Sequence, residues 1–157
     1  MMIISCSHGK HLGHLIAKKL GKTHSRLIVD KFPDDELRIR FNNSVSDKNI
    51  VLIQSFYKNI SDCIVEVIFA ARTAKELGAK KVILVAPYFP YLRQDKRFHK
   101  GESVSQSVIA GLMDKYFAAV YIMDPHLHRK NKLSAIFKIK SVKLTAYSLI
   151  SDYIKHH

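Results

Sequence analysis

The chain has no tryptophan and two cysteines, Cys6 and Cys63, too few for a disulfide framework. So thiol-poor a sequence leads us to expect a reducing, cytoplasmic setting. Glycine and proline are scarce as well, 6 and 4 in 157 residues, with no short period, which excludes a collagen-like chain. Acid is under-represented: 13 Asp plus Glu stand against 26 Lys plus Arg, a formal net charge of +13. No run approaches the roughly 20 apolar residues that cross a bilayer. The opening residues turn polar at Ser5, too early for a secretory signal, so no membrane partner is expected. What is plentiful is apolar side chain, 47% of the total, enough for a folded core. The length suits one domain.

An excess of positive charge favours anionic partners: nucleic acid, phosphorylated metabolites or an acidic surface. Its distribution narrows the choice. Residues 93–100 hold four fixed cations (Arg93, Lys96, Arg97, Lys100) and one acid, Asp95. Residues 126–132 hold three cations, two histidines and no acid. Neither segment has the interleaved aromatics of a single-strand binding platform or a helix-turn-helix pattern, so nucleic acid is not the expected ligand. Two short basic loops suit a compact polyanion.

Strand-like and helix-like segments alternate. Residues 2–6 read as a buried strand, and residues 12–20 as a helix stopped by Gly21. Residues 26–29 and 37–41 read as strands flanking the turn Pro33-Asp34-Asp35, and 50–54 as another. The clearest helix is 63–77, with Ser61 as expected cap and Gly78 at its end. Its apolar stripe is Ile64, Val67, Ile68, Ala71 and Ala74, which leaves Glu66, Thr73 and Glu76 for the polar face. The continuous apolar run at 81–86 suits a strand covered on both faces. After a long loop, Val104, Val108, Leu112 and Tyr116 mark a helix. Residues 119–123 and 142–144 read as strands. A final helix carries Ala146, Leu149, Ile150 and Tyr153 behind a Thr145 cap. This alternation predicts a three-layer α/β fold with a mostly parallel sheet. In such sheets ligands bind outside the carboxyl ends of the strands, where both basic segments fall.

The run Pro87-Tyr88-Phe89-Pro90-Tyr91 is stiffened by two prolines. It delivers Arg93, Gln94, Asp95 and Lys96 to one place, and Arg and Lys there suit phosphate oxygens. An aromatic core plug with an ordinary basic tail is the competing account. His126 and His128 could converge on a transition metal, but no Cys or third His lies near, so zinc is not expected. The turn Ser7–His11 could hold a phosphate at a helix start, though a plain strand–helix turn explains it better. Glu102, Ser103 and Ser105 read first as capping chemistry, Cys6 and Cys63 as small core residues. His156 and His157 are assigned nothing.

Three stretches carry a resemblance: Phe32-Pro33-Asp34-Asp35-Glu36, then residues 87–97, then Met123-Asp124-Pro125-His126. In order and spacing the chain resembles the ribose-phosphate diphosphokinases (phosphoribosyl pyrophosphate synthases) along essentially its whole length. The Asp124-Pro125-His126-Leu127-His128-Arg129 variant is similar to the archaeal branch. The resemblance implies transfer of the β,γ-diphosphoryl group of Mg-ATP to the anomeric hydroxyl of ribose 5-phosphate, with release of AMP. It implies that Arg93, Gln94, Asp95 and Lys96 hold the nucleotide. His126 would act beside the Mg²⁺-triphosphate, with Asp124 supporting the metal. Phe32, Asp34 and Glu36 would grip adenine from a neighbouring subunit, and stacking plus carboxylate acceptance suit that task.

The family has two similar α/β domains, and residues 1–157 are expected to cover only the first, ATP-binding one. The two-acid, Thr-Gly loop that grips ribose 5-phosphate is not in this sequence, since Leu37-Arg38-Ile39 follows Asp34-Asp35-Glu36. The flap lysine cannot be placed, and Lys138 stands where many members carry an acid. Ribose 5-phosphate is thus expected to bind only with a second domain or chain, in a homo-oligomer or a docked assembly. A non-catalytic homologue that assembles with a complete synthase is the alternative.

Overall fold

The computed structural model describes residues 1–127 and 129–156. Chain order is β1 (Met2–Ser5), α1 (Lys10–Leu20), β2 (Thr23–Lys31), β3 (Leu37–Phe41), β4 (Asn49–Ile53), α2 (Ile60–Glu76), β5 (Lys81–Ala86), α3 (Ser105–Tyr116), β6 (Ala119–Met123), a single 3-10 turn at Leu133–Ala135, β7 (Lys140–Leu144) and α4 (Tyr147–His156). The strands form one sheet in the order β3-β2-β1-β4-β5-β6-β7. All neighbours are parallel except β2 and β3, an antiparallel hairpin. The expected α/β architecture is the observed one.

Strand alternation divides the core. Met2, Ile4, Leu52, Leu84 and Ile122 face α2 and α3 in the larger cluster. Ile3, Val51 and Ile53 face the other way, against Ala17 of α1. Among the described residues α1 is the helix that contributes to this second cluster, and Ile83 and Val85 there are half-buried. The expectation that β5 is covered on both faces holds for one face alone. Close approach of α1 needs glycine. A Cβ on Gly9 would lie 1.9 Å from the carbonyl oxygen of Ile53, and one on Gly13 would lie 2.0 Å from Ser5 Oγ. Gly21, left-handed at φ 58°, ends the helix as its sequence position predicts.

Three local expectations are corrected. The α2 helix starts at Ile60, one residue before the expected cap Ser61, with Asn59 at φ 47° as its cap residue and no side-chain cap bond. Glu66 is not on a polar face: it is 2% exposed. Burial is possible because its carboxyl group is satisfied by the Ser7 amide (2.8 Å), the Ser7 hydroxyl (2.6 Å) and Gln54 Nε2 (3.0 Å). In α3 the buried face is Gln106, Ala110 and Met113, while Val108 is exposed. Val108 lies two residues from both Gln106 and Ala110, about 200° around the helix, which puts it on the opposite side. The apolar stripe of α4 forms, with Thr145 Oγ1 accepting the Tyr147 amide at 3.2 Å. Yet Tyr147, Leu149, Ile150 and Tyr153 are all exposed.

Candidate functional site

The loop after β5 is held from below by its aromatics. Phe89 is buried edge-to-face between Phe56 and Phe137, at 5.7 and 5.6 Å between centroids. The core-plug account is right for this residue and for buried Leu92. Tyr88 and Tyr91 turn outward, Tyr91 at φ 59°. The start of α3 clamps the next stretch. Gln106 Nε2 donates to the Leu92 carbonyl (3.1 Å) and its amide to the Gln94 carbonyl (3.2 Å). Ser105 Oγ donates to Gln94 Oε1 at 3.0 Å. Glu102 caps no helix; it accepts the amides of Phe98 (2.8 Å) and His99 (3.1 Å) and closes the loop.

The second loop leaves β6 at Asp124, whose φ of 39° turns the chain sharply. The Asp124 amide donates to the Leu144 carbonyl (2.9 Å), and its Oδ2 accepts the Ala146 amide (3.0 Å). That amide bond, then the Thr145 hydroxyl, hold the Asp124 carboxyl below the usual carboxylate range against the opposing effect of burial, with a lesser contribution from the Lys143 charge. Because β5 and β6 are adjacent and parallel, both loops open on one recess of about 500 Å³. Its walls include Tyr88, Tyr91, Arg93, Gln94, Asp124 and His126. Two expected site residues of the β5 loop itself stand apart from those walls. Lys96 extends over the Phe98 ring, 5.5 Å from its centroid. Asp95 turns to Arg129 at 2.5 Å.

Phe32, Asp34 and Glu36 sit on the β2–β3 hairpin at the opposite sheet edge. Five strand spacings separate β3 from β6, roughly 24 Å at the usual interval between strands. Phe32 is exposed, with the Arg38 guanidinium 5.3 Å from its ring centroid. Asp34 Oδ1 accepts the Glu36 amide at 3.3 Å. The structure therefore brings Arg93, Gln94, Asp124 and His126 together and leaves the hairpin trio elsewhere. The Ser7–His11 turn spends its amides internally: Ser7 on Glu66, His8 on Gln54, Gly9 on the Cys6 carbonyl. That favours the strand–helix turn over a phosphate cradle. His128, half of the proposed histidine pair, and His157 lie outside the described residues. Among the described residues no cluster of three or more His, Cys, Asp or Glu could hold a metal. No helix among them is long and apolar enough to cross a membrane.

Residues 1–116 match the family model for the N-terminal domain of ribose phosphate pyrophosphokinase. The chain belongs to that family. Among ribose-phosphate pyrophosphokinases, the Methanobrevibacter smithii protein is 35% identical over 153 residues, 98% of this chain and 50% of the relative. The Methanothermobacter thermautotrophicus protein is 34% identical over 98% of this chain and 53% of its own length. The crystal structure of phosphoribosylpyrophosphate synthetase from Mycobacterium smegmatis superposes with a TM-score of 0.88 at 22% identity, over 99% of this chain and 52% of that one. That likeness shows the shared fold. The chain spans about half the length of the curated relatives it matches. Within this pyrophosphokinase domain, the contribution that reading the sequence missed is the Glu66–Ser7–Gln54 knot. Its one signal was an acid on a helix otherwise apolar on that side.

Proposed function

We propose that this chain is the Mg-ATP-binding half of a ribose-phosphate pyrophosphokinase. The observation that carries the reading is the shared recess: Arg93 from the β5 loop and His126 from the β6 loop line one cavity at the carboxyl ends of adjacent strands. A guanidinium fork suits the oxygens of a triphosphate. The reaction joins the anomeric oxygen of ribose 5-phosphate to the β-phosphorus as the β-phosphorus–oxygen bond to AMP breaks. Arg93 and His126 would hold the phosphates in line and Gln94 would orient them. Mg²⁺, held in part by Asp124, would supply the positive charge that neutralises charge developing on the phosphates. The donor set fits that ion: Mg²⁺ takes one or two carboxylates plus phosphate oxygens and water, and Asp124 would supply one carboxylate, already held by the Ala146 amide just before α4.

The distance across the sheet supports a second copy as the source of the adenine contacts from Phe32, Asp34 and Glu36. Ribose 5-phosphate needs a second α/β half, in the same or another polypeptide, in a cytoplasmic assembly. Isothermal titration of the 157-residue chain tests the reading. Mg-ATP should bind, and Arg93→Ala or His126→Ala should weaken it at least about tenfold, a loss of about 1.4 kcal/mol. Ribose 5-phosphate should not bind. Tight ribose 5-phosphate binding by this chain alone would contradict the division of labour.

A further inference from the structure

We infer that Arg129 is a further phosphate-binding cation of this site, aimed by Asp95, and that their ion pair locks the β5 and β6 loops into one anion cradle. This rests on the polyphosphate reading above. The Asp95 side chain is 4% exposed, whereas Arg129 is 55% exposed, and Asp95 Oδ1 lies 2.5 Å from Arg129 Nη1. An exposed pair of this kind would be worth little. A carboxyl group this covered needs donors, and here a charged one comes from the other loop, 34 residues on.

The geometry also says where Arg129 is aimed. A second recess, of about 420 Å³, adjoins the first and is lined by Arg93, Phe98, His126 and Arg129. Arg93 and His126 belong to both recesses, so a chain of phosphates lying across them passes from one to the other. Two guanidiniums and an imidazole line the second recess with no acid among them, and the Lys96 ammonium lies 5.5 Å from the ring centroid of Phe98, the fourth lining residue. Its occupant is therefore anionic. A guanidinium carries five donors in one plane. Asp95 takes one and sets the direction of that plane, leaving the others for phosphate oxygens. Asp95 is thus a positioning residue, and its carboxyl group faces Arg129 instead of the nucleotide.

The test is isothermal titration of the full chain with inorganic tripolyphosphate, which has no base or sugar, at one fixed salt concentration. Arg129→Gln should weaken binding about tenfold, while Lys132→Gln, the same charge loss outside the recess, should change it less than about twofold. Asp95→Asn separates positioning from charge. Removing an acid beside an anion site strengthens anion binding if charge is all that matters, whereas loss of aim weakens it. The expected result is a weakening comparable to Arg129→Gln, with the double variant no weaker than Arg129→Gln alone. Should Asp95→Asn fail to fold, exposed Arg129→Gln decides the matter by itself. Unchanged affinity in Arg129→Gln, with Arg93→Ala still weakened, overturns this inference and leaves the polyphosphate reading standing. No tripolyphosphate or ATP binding by the unaltered chain overturns both.

Discussion

Glu66 grips Ser7 by two of its atoms: one carboxyl oxygen accepts the Ser7 amide at 2.8 Å and the other its hydroxyl at 2.6 Å. Gln54 completes the knot, giving Nε2 to Glu66 (3.0 Å) and taking the His8 amide on Oε1 (2.9 Å). Three elements, the ends of β1 and β4 and the middle of α2, are tied at one buried point. Glu66→Ala leaves the Ser7 amide and hydroxyl without their acceptor and Gln54 Nε2 with the Ser7 hydroxyl oxygen alone. Denaturant unfolding should show a loss of about 2–4 kcal/mol, with Glu66→Gln costing less because one acceptor survives. Equal losses for the two variants would count against the knot.

Gly13 and Gly9 admit α1 to the sheet for different reasons, and a second-site change tells them apart. Alanine at Gly13 meets a side chain, Ser5 Oγ, while alanine at Gly9 meets backbone, the Ile53 carbonyl. Each should destabilise by about 1–3 kcal/mol from overpacking. Adding Ser5→Ala should recover much of the Gly13→Ala loss and none of the Gly9→Ala loss, read as shifts of the urea midpoint.

His24 sits over Ser5 Oγ at 2.8 Å and edge-on to His14, 5.6 Å between centroids. Burial first, then the His14 and Arg26 charges, hold its imidazole below the ordinary value of 6.5. The unfolded chain therefore binds the proton more readily. Stability from this group is complete above about pH 6.5 and falls as pH drops through the lower folded value. His24→Gln should flatten that part of the thermal midpoint's pH profile. His14→Ala should raise the His24 titration seen by NMR only in part, because burial persists.

The α4 helix buries none of its residues, so its apolar stripe adds little to the stability of the described chain. Ile150→Ser or Ile154→Ser should change unfolding free energy by less than about 0.5 kcal/mol. Leu84→Ala, in the buried centre of β5, should cost about 2–5 kcal/mol. A large loss from either α4 change would mean that the stripe is packed.

Legibility followed the range of the interaction. The strands near residues 2, 50, 81 and 119, and the helices between them, could be read because each depends on the periodicity of its own segment. Arg93 and His126 could be matched because both follow strands that read as parallel, and parallel strands put their loops on one edge. Glu66 was misplaced because helical periodicity sorts residues by polarity, while its burial depends on donors 59 and 12 residues away. Val108 marks its helix but not the buried face: a four-residue spacing drifts around the helix, and the sheet meets the side that carries Gln106, Ala110 and Met113.

By itself the amino-acid sequence determined the succession of strands and helices, the stiff aromatic loop and the concentration of positive charge on two loops. Each of these is a property of neighbours along the chain. Tertiary structure alone decided that Asp95 faces Arg129 and that Phe32 lies at the far edge from His126. Strand order arises from how whole faces pack, so only the assembled sheet sets which loops meet and which stand apart.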